Sequence, residues 1–447
     1  MNSTNKSTIR KKISPRLHPA WYPDLLDRFC WEGLFPTLST HRESGSTTMT
    51  KNEKYLAEAL ELIPWGTQTG AKRHSAEMGE AMPAFIDRAK GCRMWDLDGR
   101  EYIDYRCSLG PIILGYCYQE VDDAVRAQME KGSIFSMASP IELEVARLVH
   151  DMVPCAEMVR FMKTGADANM CSVRIARAVT GRERIVIRGY HGYHDYFLPA
   201  QQGVPQAVRD LVHAVPDNDV EKLREVFRTN GERIAAMLME PYGWGDDTSG
   251  AFAREARRLT TQYGALLIFD EVLTGFRLAK GGAQEYFGIV PDLASFAKAV
   301  ANGYPVSVYC GKRQYMSKLN EITLTTTYAG DAISLAAAKA TLTIMKREPV
   351  HKHIWAMGER LMEGMREIGR RAGVNLRASG VGVSPRFAIL DEKKDRETAL
   401  NTAWRRQLFA HGVFPHWFVG YSHRPEDIDE TIERADSALK AALRATA

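Results

Sequence analysis

"AREARRLTTQYGALLIFDEV", residues 253–272, holds a helix and a strand in twenty residues. Apolar and charged residues alternate at helical spacing up to Tyr263, and Gly264 supplies the stop. "ALLIFDEV" then runs apolar until it meets Asp270 and Glu271. A continuous apolar run of this length suits a strand covered on both faces, as in a parallel sheet. The same alternation extends upstream. "EMVRFMK" (157–163), "RIVIRGY" (184–190) and "IAAMLME" (234–240) read as strands. Between them, "DANMCSVRIARAVTG" (167–181) and "VEKLREVFRTNG" (220–231) read as helices that each close on a glycine. Strands alternating with helices predict a parallel, doubly wound α/β sheet with helices on both faces. In that architecture ligands sit outside the carboxyl ends of the strands.

The flanks have a different texture. "EKYLAEALELI" (53–63) predicts a helix that stops before Pro64, and "GCRMWDLDGREYIDY" (91–105) two short strands around an Asp-Gly turn. "IELEVARLVHDMV" (141–153) is an amphipathic helix. Beyond residue 345 come a helix (354–373), the short strand "SPRFAIL" (384–390) and two helices (396–412 and 425–445), a smaller α+β arrangement. The expected division is an N-terminal extension over 1–52, a first small-domain segment over 53–110, a large domain over 111–345 and a C-terminal small domain over 346–447.

Composition narrows the function classes. The 447-residue chain is 45% hydrophobic, 26% charged and carries a formal net charge of +4, an ordinary globular balance with no basic excess for nucleic acid or membrane. No run of eighteen apolar residues occurs, so no membrane span is expected. The basic N-terminus (Lys6, Arg10, Lys11, Lys12) has no apolar stretch behind it, against a secretory signal. Seven scattered cysteines, without a C-x-x-C pair, predict reduced thiols, a cytoplasmic location and no metal site.

The strand ends carry the chemistry. "KTGADAN" (163–169) leads from a strand into a helix, where free N–H groups and the helix dipole favour an anion, although a plain cap has the same sequence. "GYHGYHDYF" (189–197) crowds Tyr190, His191, Tyr193 and His194 at the next strand end, able to stack on a flat ring or to fill a corner. Glu240 follows the third strand and Asp270 ends the fourth. Lys298, in "SFAKAVANGYP" (295–305), sits among small and apolar residues that desolvate an ammonium. Each position alone also fits a structural role: a cap, an aromatic corner, a snorkelling lysine. Together on one rim, a phosphate cradle, an aromatic face, a carboxylate and a poorly solvated amine describe a pyridoxal 5'-phosphate site.

The motifs "WDLDGREYIDY" (95–105), "LGPIILGY" (109–116), "VRIARAVTGRERI" (173–185), "DEVLTGFR" (270–277) and "GGAQEYFGIVPDLASFAKAVANGYP" (281–305) resemble the class III, fold type I pyridoxal-phosphate aminotransferases, in the branch of the glutamate-1-semialdehyde aminomutases. The resemblance runs from about residue 55 to "HRPEDIDETI" (423–432). It implies a large domain with a mostly parallel seven-stranded sheet, a smaller α+β domain built from both chain ends, and a homodimer. It implies that Lys298 forms the Schiff base and that Asp270 pairs with the pyridine nitrogen. Val272 and the aromatic Tyr190 would cover the ring, with His191 beside it. Gly165 and Ala166 would take the phosphate, Glu240 would lie at the ring hydroxyl, and Thr327 in "TTTYAGDA" (325–332) would reach the phosphate of the neighbouring subunit.

The chain also departs from that branch. Where the aminomutases read Gly-Gly-Val-Asn-Ser-Pro-Val-Arg, this chain reads "WGTQTGAKRH" (65–74), which offers Lys72 or Arg73 as the substrate cation. Leu109 replaces the tryptophan of Gly-Ser-Trp-Gly-Pro, and Ala166 replaces a hydroxyl residue of the phosphate loop. Arg277 reads as structural, whereas Trp244, His416, Trp417 and Phe418 read as pocket-mouth or interdomain residues. The expected reaction is transamination from an amino acid donor to a non-standard carbonyl acceptor, a keto sugar or a secondary-metabolite intermediate. The alternative is an aminomutase-type isomerase.

Overall fold

A computed structural model describes residues 49–242 and 248–446. Residues 1–48, most of the expected extension, and Trp244 lie outside the described residues.

Helix α1 (Lys51–Leu62) starts at a reciprocal cap between Thr50 and Glu53. Strands β1 (Ile86–Lys90), β2 (Arg93–Asp96) and β3 (Glu101–Asp104) form an antiparallel meander. Helices α2 (Gln119–Met129) and α3 (Pro140–Met152) follow. The alternating region comprises β4 (Met158–Met162), α4 (Gly165–Thr180), β5 (Arg184–Arg188), β6 (Val212–Ala214), α5 (Val220–Asn230), β7 (Ile234–Met239), α6 (Ala251–Tyr263) and β8 (Leu266–Glu271). It continues through β9 (Leu293–Phe296), β10 (Ser307–Gly311) and α7 (Ala332–Arg347). The last part holds α8 (Val350–Ala372), the hairpin β11 (Asn375–Val381) and β12 (Ser384–Leu390), α9 (Lys394–Ala410), β13 (Val413–Phe414) and α10 (Pro425–Ala445).

Seven strands form one sheet in the order β4-β10-β9-β8-β7-β5-β6. Only β10 runs against its neighbours β4 and β9 within it, so the sheet is α/β and mostly parallel, the fold type I layout. Strands β7 and β8 are buried at every position. Their side chains alternate between two cores: Met237, Met239, Leu267 and Phe269 face the core shared with α3, α6 and α7. Ala236, Leu238, Leu266 and Ile268 face the core shared with α4. Burial on both faces is why these segments lack the polar alternation of a half-exposed strand. A second sheet, β1-β2-β3-β13, joins residues 86–104 to residues 413–414 from the far end of the chain.

Strands that the sequence reading passed over are short or carry mixed residues: β1 is largely exposed and β13 has two residues. β9 and β10 lie on either side of the Lys298 turn, and small residues there weaken a propensity-based assignment. Among the described residues, no helix is long and apolar enough to cross a membrane.

Candidate active site

The carboxyl ends of β4, β5, β7, β8 and β9 share one rim. After β4, Thr164 caps α4: its side chain accepts from the Asp167 amide at 3.2 Å, while Asp167 accepts from the Thr164 amide at 3.1 Å. That reciprocal cap consumes the donors of Thr164 and Asp167 and leaves the amides of Gly165 and Ala166 pointing out of the first turn. Lys163 braces the loop from behind, donating to Asp331 at 2.6 Å and to the Pro305 carbonyl at 2.9 Å. Ser307 holds the Thr164 carbonyl at 2.7 Å. A Cβ on Gly165 would stand 2.5 Å from Val272 Cγ2, so only glycine lets the α4 terminus lie against the β8 end. Gly192, at φ 113°, likewise leaves room for Ala166.

Asp270 is buried near the end of β8. Its Oδ2 accepts from Asn169 Nδ2 at 2.8 Å and from His191 Nδ1 at 2.7 Å, and its Oδ1 accepts from the Val272 amide at 3.0 Å. His191 comes from the loop after β5, and Asn169 from α4, one helical turn beyond Gly165. The neighbouring Tyr190 keeps a half-exposed ring, and its amide donates to Glu240 Oε1 at 3.3 Å. Burial, followed by the Asp270 charge, pushes the Tyr190 hydroxyl pKa up. Glu240, just past β7, is tied to β5 by Arg188, which donates to its carbonyl at 2.6 Å.

Lys298 begins a short 3-10 turn, Lys298–Ala301, after β9. It adopts φ 49°, left-handed backbone that costs a non-glycine residue about 1 kcal/mol or more. The turn is held in place by Asn302, which bonds the Leu114 amide and the Gly115 carbonyl at 2.9 Å each. Residues on either side of Lys298 are buried, whereas Lys298 itself keeps partial exposure, so its surface faces an opening among otherwise sealed neighbours. Desolvation lowers its pKa; Asp270 and Glu240 oppose that shift and Arg277 adds to it.

The opposite wall comes from the second sheet's connections. Cys107, Ser108 and Leu109 all have positive φ and lead to Gly110. A Cβ on Gly110 would stand 2.6 Å from Leu273, 3.8 Å from Phe418 and 3.9 Å from Lys298 Cδ, which puts Phe418 and the Leu109–Gly110 turn beside the lysine stem. His416 packs on Phe418 with ring centroids 5.1 Å apart, and burial lowers its pKa to about 3. Trp417 packs on Tyr105 and Phe387 instead, an internal role. Arg277 is fully buried and donates to the carbonyls of Val419 at 3.0 Å and Gly110 at 2.8 Å. It is a structural cross-tie between three segments.

The structure thus brings together Gly165, Ala166, Tyr190, His191, Glu240, Asp270, Val272 and Lys298. It does not join Lys72, Arg73 or Thr327 to them: all three are exposed, and no hydrogen bond or ion pair among the described residues links them to the rim. The 70–73 turn is held by Arg106, which donates to the Ala71 carbonyl. Sequence reasoning missed Asn169, Arg188 and Asn302. For Asn169 a signal existed, a carboxamide spaced four residues from Gly165 on a helix whose neighbouring positions are buried.

Chemically, the rim presents a helix N-terminus with open amides, an aromatic face, a carboxylate and an amine of lowered proton affinity. The aminotransferase class-III family model matches residues 74–403. A glutamate-1-semialdehyde 2,1-aminomutase of Aquifex aeolicus (strain VF5) is 36% identical over 423 residues, covering 87% of this chain and 99% of that protein. A 3-aminobutyryl-CoA aminotransferase of Cloacimonas acidaminovorans (strain Evry) is 32% identical over 402 residues, covering 88% and 97%. The solved FumI protein of Sphingopyxis sp. MTA144, described in its PLP internal aldimine form, superposes with a TM-score of 0.81 at 32% identity, covering 88% of this chain and 96% of that one. The chain belongs to the class-III aminotransferases, a family of fold type I enzymes that work with pyridoxal 5'-phosphate.

Proposed function

We propose that this enzyme transfers an amino group from an amino acid donor to a non-standard carbonyl acceptor, a keto sugar or secondary-metabolite intermediate, with pyridoxal 5'-phosphate held by Lys298. The observation that carries the reading is the meeting of Asp270, Lys298 and the open α4 terminus on one rim. The residues fit the cofactor. Lys298 would take its aldehyde and Asp270 its ring nitrogen. The amides of Gly165 and Ala166 would take its phosphate, although Ala166 supplies no hydroxyl donor. Val272 and Tyr190 would flank the ring, and Glu240 would approach its hydroxyl edge. When bound, the cofactor supplies a carbonyl that captures amines and a ring that accepts the electron pair of the adjacent carbon.

The chain's own residues do the rest. Asp270, itself buried, would compensate positive charge on the ring nitrogen. Lys298 would act as general base and then acid, carrying a proton at its Nζ to and from the substrate carbon. Its lowered proton affinity suits it to the basic part of that task.

Leu109 and residues 65–74 support a substrate unlike the aminomutase's. Leu109, next to the Gly110 turn against the lysine stem, fills less space than a tryptophan, and Lys72 and Arg73 are solvated cations able to attract an anionic substrate group. The isomerase is the second reading, favoured by the 36% identity to an aminomutase; it would need no separate donor.

A homodimer belongs to the same proposal, with Thr327 supplied to the second copy's site. Support comes from Phe135, Met137, Leu143 and Tyr328, large apolar side chains exposed on this chain. A cytoplasmic location is proposed from the cysteine pattern.

Absorbance of the purified protein tests the reading. A near-visible band is expected, lost on adding glutamate or alanine with release of a keto acid. Turnover of glutamate-1-semialdehyde without keto acid would establish the isomerase instead. A spectrum that is unchanged by added cofactor and identical in Lys298→Ala would overturn the cofactor assignment.

A further inference from the structure

We propose that Asn169 is a positioning residue: together with His191 it fixes the Asp270 carboxylate so that Oδ1 is the oxygen left to meet the cofactor's ring nitrogen. The inference rests on the cofactor assignment above. A carboxylate offers about four lone-pair sites, two on each oxygen. On Oδ2 both are taken, by Asn169 and His191. On Oδ1 only the Val272 amide is bound, which leaves one site.

The orientation of the Asn169 carboxamide follows from its neighbours. Nδ2 donates to Asp270 and, at 3.2 Å, to the His191 carbonyl. Turning the amide over would set its oxygen against both acceptors, so the two donors lock one orientation. Asn169 thereby ties α4, the loop after β5 and the end of β8 at one atom. The same contact fixes the His191 ring: Nδ1 carries a proton toward Asp270. Asn169 Oδ1 and His191 Nε2 are both buried without a partner among the described residues. Polar atoms buried without a partner are costly, and here they are the far ends of the same two side chains whose donors meet Asp270.

A purely structural asparagine would tie the same elements without influencing the ring, so the test reads the ring. Two variants remove the donors while keeping the side chain's approximate shape. Asn169→Leu adds no charge. Asn169→Asp sets a second carboxylate against Asp270, and two such groups share a proton. The measurements are cofactor retention by equilibrium dialysis and the pH titration of the near-visible band, each against the wild-type holoenzyme. His191, Tyr190 and Lys298 are the titratable groups facing Asp270, with Glu240 near Lys298; subtraction of the wild-type titration removes their contribution.

We expect roughly tenfold weaker cofactor retention in each variant. We also expect a protonation step in the band that the wild type lacks. A folded Asn169→Leu protein with wild-type retention and a wild-type titration overturns the proposal, whatever its melting temperature. Should Asn169→Asp fail to fold, Asn169→Leu decides alone. Should Asn169→Leu fail instead, a folded Asn169→Asp decides by the same two readouts; if neither folds without cofactor, both are refolded with pyridoxal 5'-phosphate and read in the same way. A wild-type protein that never develops the band defeats the cofactor assignment itself, an outcome distinct from loss of the Asn169 effect.

Discussion

Lys298 combines two costs that an ordinary core position would not carry: left-handed backbone and a desolvated amine. Both are explained if the amine is used in its neutral or covalently linked form. Linkage gives a check on the cofactor-free protein. The folded-state pKa lies below the ordinary value of 10.5, so the unfolded chain binds more protons between those two values. Stability therefore rises with pH through that window. Below it, the burial penalty on the ammonium is fully present. Lys298→Met lacks the penalty and should be the more stable apoprotein at neutral pH. Its advantage should shrink as pH rises toward the ordinary lysine value. Denaturant midpoints of both proteins over that range check this; a pH-independent difference would refute it. Asp270 was legible in the sequence because it ends an apolar strand. Its partners were not: Asn169 precedes it by 101 positions and His191 by 79, and no local pattern encodes either contact.

At the scale of the element, α4 does two jobs with its first turn. Thr164 and Asp167 close the reciprocal cap, and Gly165 and Ala166 keep their amides open. Thr164→Ala should lower stability by about 1 kcal/mol, the usual cost of losing such a cap. It should also weaken cofactor retention, since the Asp167 carboxylate loses its hydroxyl partner at 2.6 Å and its charge, no longer damped by that bond, acts more strongly on the phosphate. Urea unfolding of the apoprotein, together with dialysis of the holoenzyme, separates the two effects; unchanged retention would show that the cap does not support the anion site. The helix and its Gly181 terminus were readable from the sequence, because periodicity and a left-handed C-cap are local properties. The close approach of Gly165 to Val272 was not, since it depends on how α4 is laid against β8.

For the whole molecule, one group of exposed apolar residues lies where α2 leads into α3. Met137 is 83% exposed and Leu143 56%. Phe135 and Met137 line a groove of about 460 Å³ together with Gln128, Lys131 and Lys339. In the proposed homodimer this surface is covered. Met137→Lys should then raise the dimer dissociation constant at least about tenfold, equivalent to about 1.4 kcal/mol. Activity should become dependent on enzyme concentration. Sedimentation velocity over a dilution series checks both; a wild-type protein that is monomeric at micromolar concentration and fully active would rule the dimer out. Arg277 acts at the same scale. By bonding Gly110 and Val419 it joins a turn near the N-terminal sheet to a segment near the C-terminal one, beside Lys298.

By itself, the sequence determined the strand-helix alternation and which lysine, aspartate and aromatic residues stand at the strand ends. These follow from short-range periodicity, from what ends each strand and from the chemistry each side chain can offer. Tertiary structure alone decided the order of the strands, the antiparallel placement of β10 and the sheet that unites residues 86–104 with 413–414. It also decided the donors that fix Asp270 and the wall of Phe418 and Gly110 beside Lys298. Each of these is a contact between distant segments, set by how layers pack and how buried polar atoms find partners.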